Sequence, residues 1–142
     1  MNVQVTWQGK RRFEAQGASG HKVVIDAKPE VGGEDAGPRP MELLLMGLGG
    51  CTGIDITIIL EKMRYTIENF AVEIQGERAD QDPKRFTKIQ MHYRLDGKDI
   101  PPEKVKRAIQ LSAEKYCSAA SSLNAAFVHT FELNGVHYEI ES

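Results

Sequence analysis

"LLLMGLGGCTGIDITIIL", residues 43–60, sets one cysteine and one aspartate in an apolar run studded with glycine. Whether this run crosses a membrane or lies inside a protein decides the fold. Glu42, Asp55 and Glu61 fall in or beside it. A carboxylate at a bilayer centre costs roughly 2.5–3.5 kcal/mol, so we read a helix packed in protein, with no membrane partner. Pro40 is tolerated in a first helical turn, and Glu42 suits the positive end of the helix dipole. The helix is therefore expected from Pro40 or Met41 to about Arg64. Apolar residues surround it on nearly every side until Glu61, the pattern of a helix buried all round. Glycine inside a helix costs about 1 kcal/mol. Gly47, Gly49, Gly50 and Gly53 thus imply close approach by another element, across a subunit interface if not within the chain.

Upstream, "NVQVTW" (2–7) alternates, "RRFEAQ" (11–16) follows a Gly-Lys turn and "HKVVIDA" (21–27) follows "GASG". These read as a small antiparallel meander. "KPEVGGEDAGPRP" (28–40) is a long Gly- and Pro-rich loop of the kind that shapes sites. Downstream, "FAVEIQGE" and "TKIQMHYRLDG" alternate as an antiparallel pair joined by the polar "RADQDPKRF". "DIPPEKVKRAIQLSAEKYC" carries helix-start chemistry at Pro102 and Glu103, then an apolar face through Val105, Ala108 and Ile109. "SAASSLNAAF" reads as a short helix, and "HTFELNGVHYEIE" as a hairpin turning at Asn134-Gly135. Strands, helix, strands, helices and strands in that order give an α+β class. One domain over 1–142 is the expectation, without repeats.

A formal net charge of −2 gives no basic surface for nucleic acid, and Lys10-Arg11-Arg12 and Lys84-Arg85 are too short to supply one. "MNVQVTWQGKRRF" has no apolar signal core, so the cytoplasm is the expected compartment. There are two cysteines, Cys51 and Cys117, and no CxxC pair. The histidines, His21, His92, His129 and His137, lack ligand spacing, so neither a metal nor a cofactor is expected. In a reducing compartment two lone thiols are either packing or redox chemistry.

The redox option sets a physical requirement. A free thiol is only about 3% thiolate at pH 7. Cys51 lies beyond the first turn of its helix, where the dipole no longer helps. Asp55, one turn on, shares its face and opposes a second negative charge. A cation must come from elsewhere: an arginine at ~4 Å and an effective dielectric near 20 contributes about 4 kcal/mol before desolvation. Cys117 falls at a junction between helices ending near Tyr116 and starting at Ser118, where the chain has freedom to turn towards Cys51. The alternative is that both cysteines are small buried hydrophobes.

"PMELLLMGLGGCTGIDI" (40–56) and "YCSAASSL" (116–123), with the cysteines 66 positions apart, resemble the OsmC/Ohr family, and the order of elements matches along essentially the whole chain. The resemblance implies an intertwined homodimer in which antiparallel sheets pack around a long cysteine-bearing helix. It also implies a thiol-dependent peroxidase acting on small organic hydroperoxides. Cys51 would be the attacking thiol and Cys117 the resolving one, restored by a thiol or dithiol reductant such as a lipoyl-bearing protein. The family organises its reactive cysteine with an arginine and a glutamate. Arg11 matches the arginine best, with Arg12 adjacent and Arg39 as a rival, and the partner subunit can supply it. The glutamate ten positions before the cysteine is replaced by Met41, leaving Glu42 nine before; Glu42 also serves as a first-turn helix charge. Ser118 stands where proline often follows the second cysteine.

The reading is a homodimer whose sites, walled by Leu44, Met46, Leu48 and Ile54, reduce lipid-like or aryl hydroperoxides through Cys51, Cys117, Arg11 and Glu42. The alternative is a non-catalytic protein of the same fold that holds an apolar or acyl ligand in the dimer cleft.

Overall fold

The computed structural model describes residues 1–141, which gather into two compact units, 1–46 and 47–141. In the first, β1 (Val3–Trp7), β2 (Phe13–Gly17) and β3 (Lys22–Ile25) form an antiparallel sheet in sequence order. Gly9 and Lys10, at φ 102° and 50°, turn the chain between β1 and β2, and the Trp7 indole donates to the Lys10 carbonyl at 2.9 Å. Pairing of Val5 with Ala15, Trp7 with Phe13 and Ala15 with Val23 collects these side chains on one face. Val3, Val5, Trp7, Phe13 and Val23 on that face are exposed.

The loop after β3 is not structureless. Pro29–Val31 make a 3-10 turn, and the chain then folds back on β3. Buried Asp26 anchors it by accepting backbone N–H bonds from Ala27 (2.8 Å), Glu34 (3.1 Å) and Ala36 (3.1 Å). Burial alone would push this carboxyl up, but those three donors, with the Arg12 charge, hold it below its usual range. The fold-back demands glycine, because a Cβ on Gly33 would stand 1.8 Å from the Ala27 carbonyl oxygen and one on Gly37 2.2 Å from that of Val24.

Helix α1 (Pro40–Lys62) starts in the first unit and ends in the second. Its N-terminus is closed by its own sequence. The Arg39 N–H donates to Glu42 Oε1 at 3.0 Å, one half of a capping box. Leu48, Thr52, Ile56 and Leu60, four residues apart, are buried. Covering each Leu or Ile contributes about 1.5–3 kcal/mol. In the single chain Leu44, Met46, Ile54 and Ile58 are exposed, because one chain covers a single stripe of the helix. By length and composition α1 meets the description of a membrane span. The glycines divide in the same way. A methyl on Gly49 would meet Ile74 Cδ1 at 2.8 Å, whereas Gly47 and Gly50 face open space.

The second unit continues with β4 (Asn69–Arg78), β5 (Phe86–Asp96), α2 (Pro102–Leu111), α3 (Ser118–Ser121), β6 (Ala126–Leu133) and β7 (Val136–Ile140). The sheet order is β4-β5-β6-β7. β4–β5 and β6–β7 are antiparallel, but β5 and β6 run parallel, so this sheet is mixed. A parallel neighbour needs a crossover, which α2 and α3 provide. Strict alternation on β5 buries Ile89, Met91, Tyr93 and Leu95, and α2 adds Val105, Ala108 and Ile109 to the core. The final hairpin turns at Asn134-Gly135, with φ 50° and 84°, the left-handed pair that a two-residue hairpin requires.

Helical winding does not end with α2. Residues Ser112–Tyr116 form a π turn, closed by the Cys117 N–H on the Ser112 carbonyl at 2.8 Å. This is one residue wider than an α turn, and it delivers the chain to Cys117.

Candidate active site

Cys117 caps α3. Its backbone is extended (φ −76°, ψ 99°) and its sulfur accepts the Ala120 N–H at 3.3 Å. Thr52, the residue after Cys51 on α1, sets its hydroxyl 3.3 Å from the same sulfur. Both groups are out of solvent, Cys117 being 4% and Thr52 2% exposed. One turn along α1, Asp55 Oδ2 accepts a 3.0 Å hydrogen bond from Ser112, the first residue of the π turn. The bulge thus ties α1 to the junction carrying Cys117. As a result Cys51 Sγ, Cys117 Sγ and an Asp55 oxygen all lie within 4.8 Å of one another. Both cysteines are free thiols, Cys51 half-buried and Cys117 buried.

Burial pushes the Cys117 thiol up. The Thr52 hydroxyl and the Ala120 N–H pull the other way, and the neighbouring Cys51 adds to the rise. Burial therefore keeps Cys117 a protonated thiol at neutral pH.

A cavity of about 420 Å³ opens beside Cys117. Thr52, Met91, Tyr93, Phe127 and His129 line it together with the α3 segment. The Tyr93 hydroxyl and His129 Nδ1 are 2.9 Å apart, and the two rings stack at 5.9 Å. Burial raises the Tyr93 phenol well above its usual range, with the neighbouring Cys117 adding to the effect, and burial lowers His129. At neutral pH both are uncharged and able to pass a hydrogen bond between them. Of the residues expected as apolar walls, Leu48 is core and Leu44, Met46 and Ile54 are exposed in the single chain; the cavity beside Cys117 is lined by inward residues of β5 and β6.

Of the four residues expected at the site, the second unit brings Cys51 and Cys117 together. Arg11 and Glu42 belong to the first unit. There, the Glu42 carboxylate is held by the Arg39 N–H and by its guanidinium at 3.5 Å. Arg39 also reaches Asp35, and Arg12 reaches Glu34, at 3.4 and 3.3 Å. Arg11 differs: it donates only to the backbone carbonyls of Val31 (3.2 Å) and Lys10 (3.5 Å), with no carboxylate partner among the described residues. Among the described residues no arginine hydrogen-bonds to the Cys51 sulfur. Sequence reading missed Tyr93, His129, Thr52 and Ser112. A signal for the first two was present, since a tyrosine and a histidine occupy inward positions of otherwise apolar alternating strands.

Comparison with known proteins places the fold. The chain is 38% identical over 135 residues to "Protein YhfA" of Escherichia coli K12, covering 94% of this chain and 98% of that protein. A solved structure described as a hypothetical protein from Aquifex aeolicus is 28% identical with a TM-score of 0.77, over 94% of this chain and 96% of that one. An organic hydroperoxide resistance protein OsmC from Legionella pneumophila, 15% identical, shares the fold at a TM-score of 0.70, over 93% and 97% of the two chains. The family model described as OsmC-like protein matches residues 32–132. With two sheets, a long cysteine-bearing helix and a second cysteine brought beside the first, the chain belongs to the OsmC-like family.

Proposed function

We propose that the protein is a thiol-dependent peroxidase that reduces organic hydroperoxides in the cytoplasm through a two-cysteine cycle. The observation that carries this reading is the proximity of the two reduced sulfurs, at most 4.8 Å apart. The Cys51 thiolate attacks the outer oxygen of R–O–O–H. The O–O bond breaks, the alcohol leaves with a proton, and Cys51 becomes a sulfenic acid. Cys117 then attacks the Cys51 sulfur and releases water, leaving a disulfide. A dithiol reductant, of small-molecule or lipoyl-protein type, returns both thiols and becomes oxidised itself. Residues around Cys117 suit its part as resolver: protonated at rest, it does not compete for the peroxide, and the Thr52 hydroxyl and Ala120 N–H are placed to stabilise the thiolate when it forms.

The thiolate of Cys51 needs a cation, and Arg11 is the candidate, having no carboxylate partner among the described residues where Arg12 and Arg39 are engaged. We assign it as supplied within a homodimer. The exposed apolar faces, Val3, Val5 and Trp7 on β1 and Ile54 and Ile58 on α1, support such an assembly. Glu42 assists only through Arg39 and the helix start.

The test is steady-state turnover of several hydroperoxides with a dithiol. Wild-type activity should vanish in Cys51→Ser, while Cys117→Ser should accumulate sulfenic acid trappable by a dimedone-type reagent. Wild-type turnover no faster than that of Cys51→Ser removes the enzymatic reading. A binding protein for apolar or acyl ligands is then the second reading, favoured by the roughly 420 Å³ cavity beside Cys117.

A further inference from the structure

Asp55 is out of place in a purely thiol-based site. Its side chain places a carboxylate oxygen within 4.8 Å of both sulfurs, a third donor atom beside two soft ones. It has no basic partner among the described residues, and its one hydrogen bond, from Ser112, engages Oδ2 and leaves Oδ1 unclaimed. Ser112 is fully buried, so this carboxylate is held in place and not merely near. Beside a divalent cation such a carboxylate serves as a third anionic ligand.

The geometry is close to what such an ion requires. A tetrahedral Zn²⁺ with Zn–S bonds near 2.3 Å and Zn–O bonds of roughly 2.0–2.2 Å separates its ligand atoms by about 3.5–3.8 Å. The three ligand atoms here, all within 4.8 Å, need only a small contraction around an ion. Two sulfurs and one oxygen suit a soft or borderline metal of the Zn²⁺ type better than Mg²⁺ or Ca²⁺. Second-shell support is already built. The Ala120 N–H and the Thr52 hydroxyl point at Cys117 Sγ, and Ser112 orients the carboxylate.

We propose that the reduced protein binds one Zn²⁺-type cation per chain through Cys51 Sγ, Cys117 Sγ and an Asp55 carboxylate oxygen, with the fourth position left to water, and that the bound ion holds the thiol pair out of reaction. Binding releases the two thiol protons to solvent, forms two metal–sulfur bonds, and transfers no electrons. Both sulfurs are then committed to the metal, so peroxide attack at Cys51 and closure to a disulfide are blocked until the ion leaves. Conversely, disulfide formation removes both thiolate ligands. The binding half of this inference stands on geometry alone, whereas the regulatory half rests on the peroxidase reading.

The test uses full-length protein, kept reduced with a phosphine and stripped of metal. Zn²⁺ is titrated against a chromophoric chelator, and Co²⁺ serves as a visible probe of thiolate ligation. One Zn²⁺ per chain, with proton release on binding and a thiolate-to-Co²⁺ charge-transfer band, is the expected result. Asp55→Asn should weaken binding by about tenfold or more. Cys51→Ser and Cys117→Ser should lose the band, and wild-type protein oxidised to the disulfide should bind none. This last comparison needs no variant to fold. Absence of Zn²⁺ binding by the reduced wild type, or binding that persists after oxidation, overturns the inference. Turnover is then compared with and without one equivalent of Zn²⁺: loss supports the regulatory half, and unchanged turnover with zinc bound overturns it. Zinc binding by a metal-free protein that shows no turnover would sink the peroxidase reading while upholding the cation site.

Discussion

Thr52→Val replaces a hydroxyl with a methyl of nearly the same shape at a site that is 2% exposed. No cavity opens, so the effect isolates one hydrogen bond, Thr52 Oγ1 to Cys117 Sγ at 3.3 Å. A neutral bond of this kind contributes about 0.5–1.5 kcal/mol to stability. Unfolding entropy of roughly 2.1 cal/mol/K per residue makes 1 kcal/mol equal to about 3 °C in Tm for a chain of this length. The larger consequence falls on the thiolate. A deprotonated sulfur can only accept, so the hydroxyl must donate to it, and valine cannot. Removing about 1 kcal/mol of thiolate stabilisation raises the pH midpoint of Cys117 reactivity by about 0.7. That change slows disulfide closure at neutral pH by about fivefold. The measurement is the pH profile of Cys117 alkylation in a Cys51→Ser background, with and without Thr52→Val, followed by rapid-mixing kinetics of disulfide formation in the otherwise wild-type chain. The parent midpoint should lie above that of an ordinary thiol, because burial dominates. Midpoint and closure rate both unmoved by Thr52→Val would show that the hydroxyl does not act on this sulfur.

Glu42→Ala removes the N-terminal cap of α1 and should lower stability by about 0.5–1 kcal/mol in denaturant melts; because Glu42 acts through Arg39, kcat with a saturating hydroperoxide should change less than twofold. Gly33→Ala drives a methyl against the Ala27 carbonyl, 1.8 Å away, and should cost about 1–3 kcal/mol by denaturant midpoint. His129 is held neutral by burial, its folded pKa lying below the unfolded one near 6.5. Its contribution is therefore fully present above about pH 6.5 and lost as the pH falls from there through the folded value. Comparing Tm against pH for wild type and His129→Gln should show a shallower acid limb in the variant; parallel curves would refute this.

Much of the fold was legible because it rests on periodicity. Alternation in "TKIQMHYRL" placed β5, and Asn134-Gly135 placed the last turn, both being decided by neighbours in sequence. The α1 boundaries followed from Pro40 and from the loss of apolar pattern after Glu61. What stayed illegible depends on partners far along the chain. Nothing local distinguishes a parallel from an antiparallel pairing of β5 with β6, since the same alternation serves both. The stripe of α1 left bare was hidden because apolar content does not say what covers it. At the site, Cys51 and Cys117 were visible by type and spacing. The hold of Ser112 on Asp55 was not, because it depends on a π turn within a segment whose sequence reads as ordinary helix.

That turn has an evolutionary corollary. A π bulge amounts to a single inserted residue, and each helical residue turns the chain beyond it by about 100°. Deleting any one position between Ser112 and Tyr116 would preserve the cysteine and its neighbours in sequence, yet aim its sulfur away from α1. The pairing of the two thiols is therefore not open to gradual tuning by substitution in this segment. It is gained or lost in one indel, and among homologues the length of this stretch is a sharper marker of a working pair than the presence of both cysteines.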